Sequence, residues 1–262
     1  GVSKGEVTLP EAGTVAGLSG RNDGRDLFFV FTSYLRPSGV YRYDLRNGAL
    51  SPFRPAATPF DPSNYETRAT FYQSKDGTKI PIFITARKGL RRDGSHPALL
   101  YAYGGFDISL QPSYSPATAG WLELGGVYAV ANLRGGAEYG EAWHHAGMRE
   151  KKQNVFDDFI AAGEFLVSEG YTVPARLAIQ GRSNGGLLVG AAMTQRPELF
   201  AVALPAVGVM DMLRYQNYDI TSPYNREAAI WARDQQQYRL PIDPRPLRDR
   251  LAGYAPRIDG AE

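Results

Sequence analysis

The chain has 262 residues, 43% of them hydrophobic, with 29 basic and 27 acidic side chains and a formal charge of +2. That apolar fraction can fill a core, and the near-neutral, scattered charge argues against nucleic acid or a membrane surface as partner. Zero cysteines exclude a disulfide scaffold, a thiolate metal site and a cysteine nucleophile, and no apolar run is long enough to span a bilayer.

Residues 1 to about 60 read as β. Leu27 to Phe31 is a dense apolar run of high strand propensity. Pro37-Ser38-Gly39 signals a turn. Val40 to Leu45 then alternates, and Asn47-Gly48 is a tight-turn pair. Together these predict an antiparallel meander. Pro52, Pro55, Pro59 and Pro62 follow closely and read as a crossing between domains.

A hairpin is expected next, from Thr67 to Gln73 and Lys79 to Ala86 around Asp76-Gly77. Ala98 to Tyr103, Val127 to Ala131, Leu177 to Ile179 and Ala201 to Leu204 are nearly continuous apolar runs. Strands buried on both faces of a parallel sheet have this composition. The spacing of Val155, Phe156, Phe159, Ile160, Gly163 and Leu166 predicts a helix from about Val155 to Glu169, capped by Asn154 and ended by Gly170. Gly185 to Gln195 reads as a second, buried helix. The alternation of strand and helix predicts an α/β-hydrolase core, domain 61–262, behind a partial β domain, 1–60. From about Thr221 the chain is rich in Arg, Asp, Pro and Gln. A short helix from near Arg226 through Gln235-Gln236-Gln237 is the one element expected there.

Gly181-Arg182-Ser183-Asn184-Gly185 has the form G-x-S-x-G, after an apolar strand and before an apolar helix. That context puts a serine on a sharp bend with its hydroxyl at the end of the sheet. Ser183 is the candidate nucleophile. The backbone N–H of Asn184 is a candidate oxyanion donor. Tyr103-Gly104-Gly105-Phe106 ends an earlier strand, where esterases carry an HGGG-like loop, and the Tyr103 phenol is the second candidate donor. An esterase reading is weaker because Tyr103 replaces that loop.

The histidines, His96, His144 and His145, all precede Ser183. The order in this fold is nucleophile, acid, base, so His144 and His145 are read as structural or surface residues. Arg134 to Gly140 lacks the spacing of a phosphate loop and reads as an ordered loop. Asp211, Asp219 and Asp234 follow Ser183, but none ends a recognisable strand. No grouping of His, Asp and Glu suggests a metal, and nothing calls for a cofactor.

Several stretches together resemble the prolyl oligopeptidase family. They are Tyr103 to Phe106, Asn132 to His144, Lys152-Gln153-Asn154 with Phe156 to Phe159, Ser183 to Val189, Gln195-Arg196-Pro197 and Gly208 to Leu213. Phe31-Thr32-Ser33 and Ser74 to Pro81 fit as well. The resemblance implies a seven-bladed β-propeller capping an α/β-hydrolase domain, with cleavage of short peptides after proline. It implies that residues 1–60 are the last blade region. It makes Ser183 the nucleophile, Tyr103 and Asn184 the oxyanion donors, and Phe106 and Val209 the lining of the proline pocket. Arg182 stands at the variable position of the motif, where the family usually has glycine.

By motif, the resemblance fades after Tyr215 and is gone by Thr221. Trp231 does not sit in the motif of the family's proline-stacking tryptophan, and the catalytic aspartate, a substrate-binding arginine and the catalytic histidine find no counterparts. The expectation is a truncated peptidase domain with an atypical tail, a frameshift product being one source, inactive by itself. A non-catalytic pseudoenzyme or peptide-binding fragment is the alternative. The expected partner is a short proline-containing peptide, with self-association following from an open sheet and a lone blade. The expected compartment is the cytoplasm, with the periplasm as second choice.

Overall fold

The computed structural model describes residue 2 and residues 5–210. The tail helix, Asp211, Asp219, Asp234 and Trp231 lie outside the described residues.

Four strands come first: β1 (Thr14–Gly20), β2 (Asp26–Thr32), β3 (Gly39–Asp44) and β4 (Ala49–Arg54). They form an antiparallel sheet in sequence order, the form of a propeller blade. On β2, Phe29 and Phe31 are buried while Phe28 and Val30 are half-buried, as the two-residue period of a strand requires. Tyr41 stacks on Phe29 and meets Phe31 edge-on at 5.6 Å. Pro52, read above as part of the crossing, lies within β4 opposite Tyr41. It is tolerated because, among the described residues, β4 is an edge strand with no neighbour on its far side.

The crossing ends at Asp61, whose carboxylate accepts from Ser63 N at 2.9 Å and caps a single 3-10 turn. The second unit follows in the order β5 (Tyr65–Gln73), β6 (Lys79–Arg87), β7 (Ala98–Ala102), α1 (Pro116–Glu123), β8 (Val127–Ala131), α2 (Glu141–His145), α3 (Lys152–Ser168), β9 (Leu177–Arg182), α4 (Asn184–Gln195) and β10 (Val202–Ala206). Its sheet runs β10-β9-β7-β8-β6-β5. The four strands β10, β9, β7 and β8 are parallel, and β6 and β5 are antiparallel. This is the mainly parallel sheet of an α/β-hydrolase core.

The helix α3 drives its Val155, Phe156, Phe159 and Leu166 into the core, each at most 1% exposed. Full burial of such side chains stabilises by about 1.5–3 kcal/mol apiece. The helix begins at Lys152, earlier than the periodicity alone indicates, and Asn154 is not its cap: its amide donates to Ala146 O at 2.9 Å. Gly170, at φ 72°, does end it. The helices α1 and α2 are additions to the sequence reading. The strand β10 is a correction to it, since Val202 and Leu204 are 48% and 44% exposed rather than buried on both faces.

The blade does not stand free. Leu35 and Phe60 share an apolar cluster with Tyr65, Ala119 and Leu122. Tyr34 packs its ring against Phe83 and Tyr128. Thr14 Oγ1 donates to Pro112 O at 2.7 Å. Among the described residues, no helix is long and apolar enough to cross a membrane.

Candidate active site

Because β7, β9 and β10 are parallel, their carboxyl ends share one edge of the sheet. Tyr103 follows β7, Ser183 follows β9, and Val209 lies just past β10. Topology alone thus gathers segments far apart in sequence.

Ser183 has φ 57° and ψ −118°. A non-glycine residue held there stores about 1–3 kcal/mol, so its neighbours must impose the bend. Ser183 N donates to Ala206 O at 2.9 Å, and Ser183 O accepts from Gly186 N and Leu187 N at 2.9 and 3.2 Å. The turn is too close for side chains at its glycines. A Cβ on Gly185 would lie 2.8 Å from Ala102 O, and one on Gly181 would strike Gly185 O.

The Ser183 hydroxyl does not cap α4. It lies near the Tyr103 phenol, whose ionisation it influences. Burial holds that phenol above its ordinary pKa, against the opposing effect of the serine contact. Tyr103 is therefore a neutral O–H donor near pH 7. Asn184 is the first residue of α4, so its backbone N–H has no acceptor within the helix. The positive end of the helix dipole adds to it. Ser183 thus has two hydrogen-bond donors beside it, and a developing negative charge is what such donors stabilise.

The Asn184 side chain, given no role by the sequence, is fully buried and occupied. Its Nδ2 donates to Tyr103 O at 2.6 Å, and its Oδ1 accepts from Lys152 Nζ at 3.1 Å. Lys152 Nζ also donates to Gly104 O at 2.8 Å. A carbonyl on one side and an ammonium on the other fix which way the amide faces. Gly105 packs so tightly here that a Cβ would come 2.6 Å from Asn184 Nδ2. Lys152 is 1% exposed, and desolvation pulls its ammonium down to about 7. Motif reading missed this lysine's position. The signal was its spacing, since Lys152 falls on the same helical stripe as Val155 and Phe156.

Phe106 takes a left-handed backbone conformation, φ 57°, and is half-buried in the loop after β7. Val209 is half-buried too. Its neighbour Gly208 lies against the start of α4: a Cβ on Gly186 would be 2.6 Å from Gly208 Cα.

His144 is buried with Nδ1 2.7 Å from Gly135 O, a contact in which the ring must donate. His145 is exposed and faces Glu141 at 3.7 Å. Both are therefore the structural and surface residues expected. Among the described residues there is no cluster of three or more metal-ligating side chains.

A buried ion pair holds the framework behind this site. Asp158, fully buried on α3, accepts from Arg134 N at 3.2 Å, Nε at 2.9 Å and Nη2 at 2.5 Å, and from Ser74 Oγ at 2.5 Å. Burial pushes the Asp158 carboxyl up while these donors pull it down. Arg134 Nη1 also reaches Asp76 at 2.6 Å, and that hydrogen bond is the main cause of an Asp76 pKa of about 2.

Comparison with known proteins matches residues 112–248 to the family described as "Prolyl oligopeptidase family". Residues 1–56 match "Prolyl oligopeptidase, N-terminal beta-propeller domain". The first match continues past Thr221, where motif reading loses the pattern. The prolyl endopeptidase of Elizabethkingia miricola is 46% identical over 251 residues, covering 96% of this chain and 34% of that protein. The prolyl endopeptidase of Dictyostelium discoideum is 44% identical over 221 residues, 83% of this chain and 29% of its own length. A solved structure from a study of two prolyl endopeptidases superposes with a TM-score of 0.78 at 46% identity, covering 95% of this chain and 35% of that one. Apo prolyl oligopeptidase B of Galerina marginata gives 0.75 at 36% identity, covering 91% and 33%. The chain thus spans about a third of the length of the curated relatives it matches.

Proposed function

The chain belongs to the prolyl oligopeptidase family, and from that premise we propose that it carries the nucleophile half of a serine endopeptidase site that cleaves short peptides after proline. The observation that carries this reading is the strained bend at Ser183, at the sheet edge where Tyr103 ends its strand, with a hydroxyl that does not cap the helix. In the proposed reaction Ser183 Oγ attacks the carbonyl carbon of the proline residue and loses its proton to a base. The carbonyl electrons move onto oxygen, where the Tyr103 O–H and Asn184 N–H receive the charge. The C–N bond then breaks, the amine leaves with a proton, and water hydrolyses the acyl ester. Phe106 and Val209, at the same sheet edge, would flank the proline ring.

The base is the missing part. No histidine follows Ser183 in the chain, and His144 spends its Nδ1 on Gly135 O. Members of a triad act as a unit. Residues 1–262 alone are therefore expected to turn over proline peptides very slowly or not at all. The same observation favours a second reading, a non-catalytic module that retains a proline-peptide site.

A fluorophosphonate probe separates the two. Labelling confined to Ser183, and absent from Ser183→Ala, supports the nucleophile and means that another group serves as base. A Ser183 that stays inert while a proline peptide still binds supports the non-catalytic reading. Family-like peptide turnover by the chain alone would refute the expectation of a missing base.

A further inference from the structure

The buried lysine beneath the site has no part in the chemistry just described. Its surroundings are unusual for a cation. Lys152 is 1% exposed, and the acceptors recorded for it are uncharged: Gly104 O at 2.8 Å and Asn184 Oδ1 at 3.1 Å. Burying an ammonium between neutral partners is costly. A leucine or methionine would fill that space more cheaply, so the position calls for an explanation beyond packing.

The geometry supplies one. Tyr103 and Asn184 are the two candidate oxyanion donors, and they come from different elements. The bonds between those elements run through one small knot. Asn184 Nδ2 holds Tyr103 O at 2.6 Å, and Lys152 ties the same Asn184 amide to the next carbonyl, Gly104 O. Gly104 sits at φ 62°, a backbone setting with little steric preference of its own for glycine. An external anchor must therefore hold it. We propose that Lys152 is a positioning residue, pinning the Tyr103–Gly105 loop to Asn184 so that the phenol and the α4 amide converge on one point above Ser183. This rests on the peptidase reading of Ser183. A shift of about 1 Å in such a constellation can cost on the order of 100-fold in rate.

The test compares the full chain with Lys152→Met, which keeps the stem and removes the donors, and with Lys152→Gln, which keeps a neutral donor. Two quantities are read. One is amide hydrogen exchange in residues 103–107 and 183–187 against the strands β7 and β9. The other is the affinity for a peptidyl-proline boronic acid, whose tetrahedral adduct places an oxygen where the oxyanion forms. Lys152→Met is expected to raise exchange in the two loop segments about tenfold or more and to weaken the boronic acid about tenfold. Exchange in β7 and β9 should stay unchanged, and Lys152→Gln should fall between. Unchanged loop exchange, or unchanged affinity, would overturn the proposal. So would a uniform loss of protection that includes β7 and β9, since Lys152 would then support the fold at large. Should the unmodified chain fail to bind the boronic acid, the peptidase reading falls, and loop exchange alone decides whether Lys152 is the pin.

Discussion

Replacing Asp158 with alanine strands the guanidinium of Arg134 in the interior. Arg134 is 5% exposed and Asp158 is 0% exposed. Without the carboxylate, Arg134 Nε and Nη2 lose their 2.9 and 2.5 Å partner, and Ser74 Oγ loses its 2.5 Å acceptor. Only Nη1 keeps a carboxylate, at Asp76. Removing one member of a buried ion pair costs about 3–5 kcal/mol, because an uncompensated charge stays behind. The control is Asp76→Ala. The Asp76 side chain is 47% exposed, so solvent takes over its share and the loss should be at most about 1 kcal/mol. Urea unfolding, with the free-energy change taken from the shift in midpoint at fixed slope, reads both. The double variant Arg134→Met/Asp158→Leu should recover much of the loss by removing the stranded charge with its partner. An Asp158→Ala cost below about 1 kcal/mol, or equal to that of Asp76→Ala, would refute the reasoning.

Stability should also depend on pH through Lys152, whose pKa is about 7 when folded against 10.5 as the ordinary value. Between those values the unfolded chain binds the extra proton, so the lysine's contribution to stability rises as pH rises from about 7 to about 10. Urea midpoints over that range should climb more in the unmodified chain than in Lys152→Met, and equal slopes would contradict the assignment. Tyr103→Phe removes one of the two proposed oxyanion donors while keeping the ring. Its affinity for a peptidyl-proline boronic acid should fall about tenfold or more with an unchanged circular dichroism spectrum, and an unweakened complex would remove Tyr103 from the site.

Much of this arrangement is legible in the residues because it depends on local rules. The elbow needs glycines where backbones touch, and Gly181 and Gly185 stand there. The strand β8 can be read to the residue because an apolar run bounded by Gly125-Gly126 and Asn132 has only one way to sit in a buried sheet. Pro52 is harder. Whether proline breaks a strand or decorates its edge depends on which strand lies next to it, and that is a tertiary fact. The burial of β10 is likewise set by what covers it. Asn184 and Lys152 escape a reading by residue type, since an amide and an ammonium are ordinarily surface groups. Spacing puts Lys152 on the stripe of α3 that carries Val155 and Phe156, but only the fold reveals that a cation at that position enters the core. The blade's attachment through Tyr34, Leu35 and Phe60 escapes for the same reason, because it joins elements distant in sequence.

The peptidase account turns on where negative charge would be received. A crystal structure of the chain with a peptidyl-proline boronic acid tests that directly. The account predicts boron bonded to Ser183 Oγ, one boronate oxygen within hydrogen-bond distance of both the Tyr103 phenol and the Asn184 N–H, and the proline ring between Phe106 and Val209. A boronate bound elsewhere, or held on Ser183 with its oxygen turned away from Tyr103 and Asn184, would contradict it.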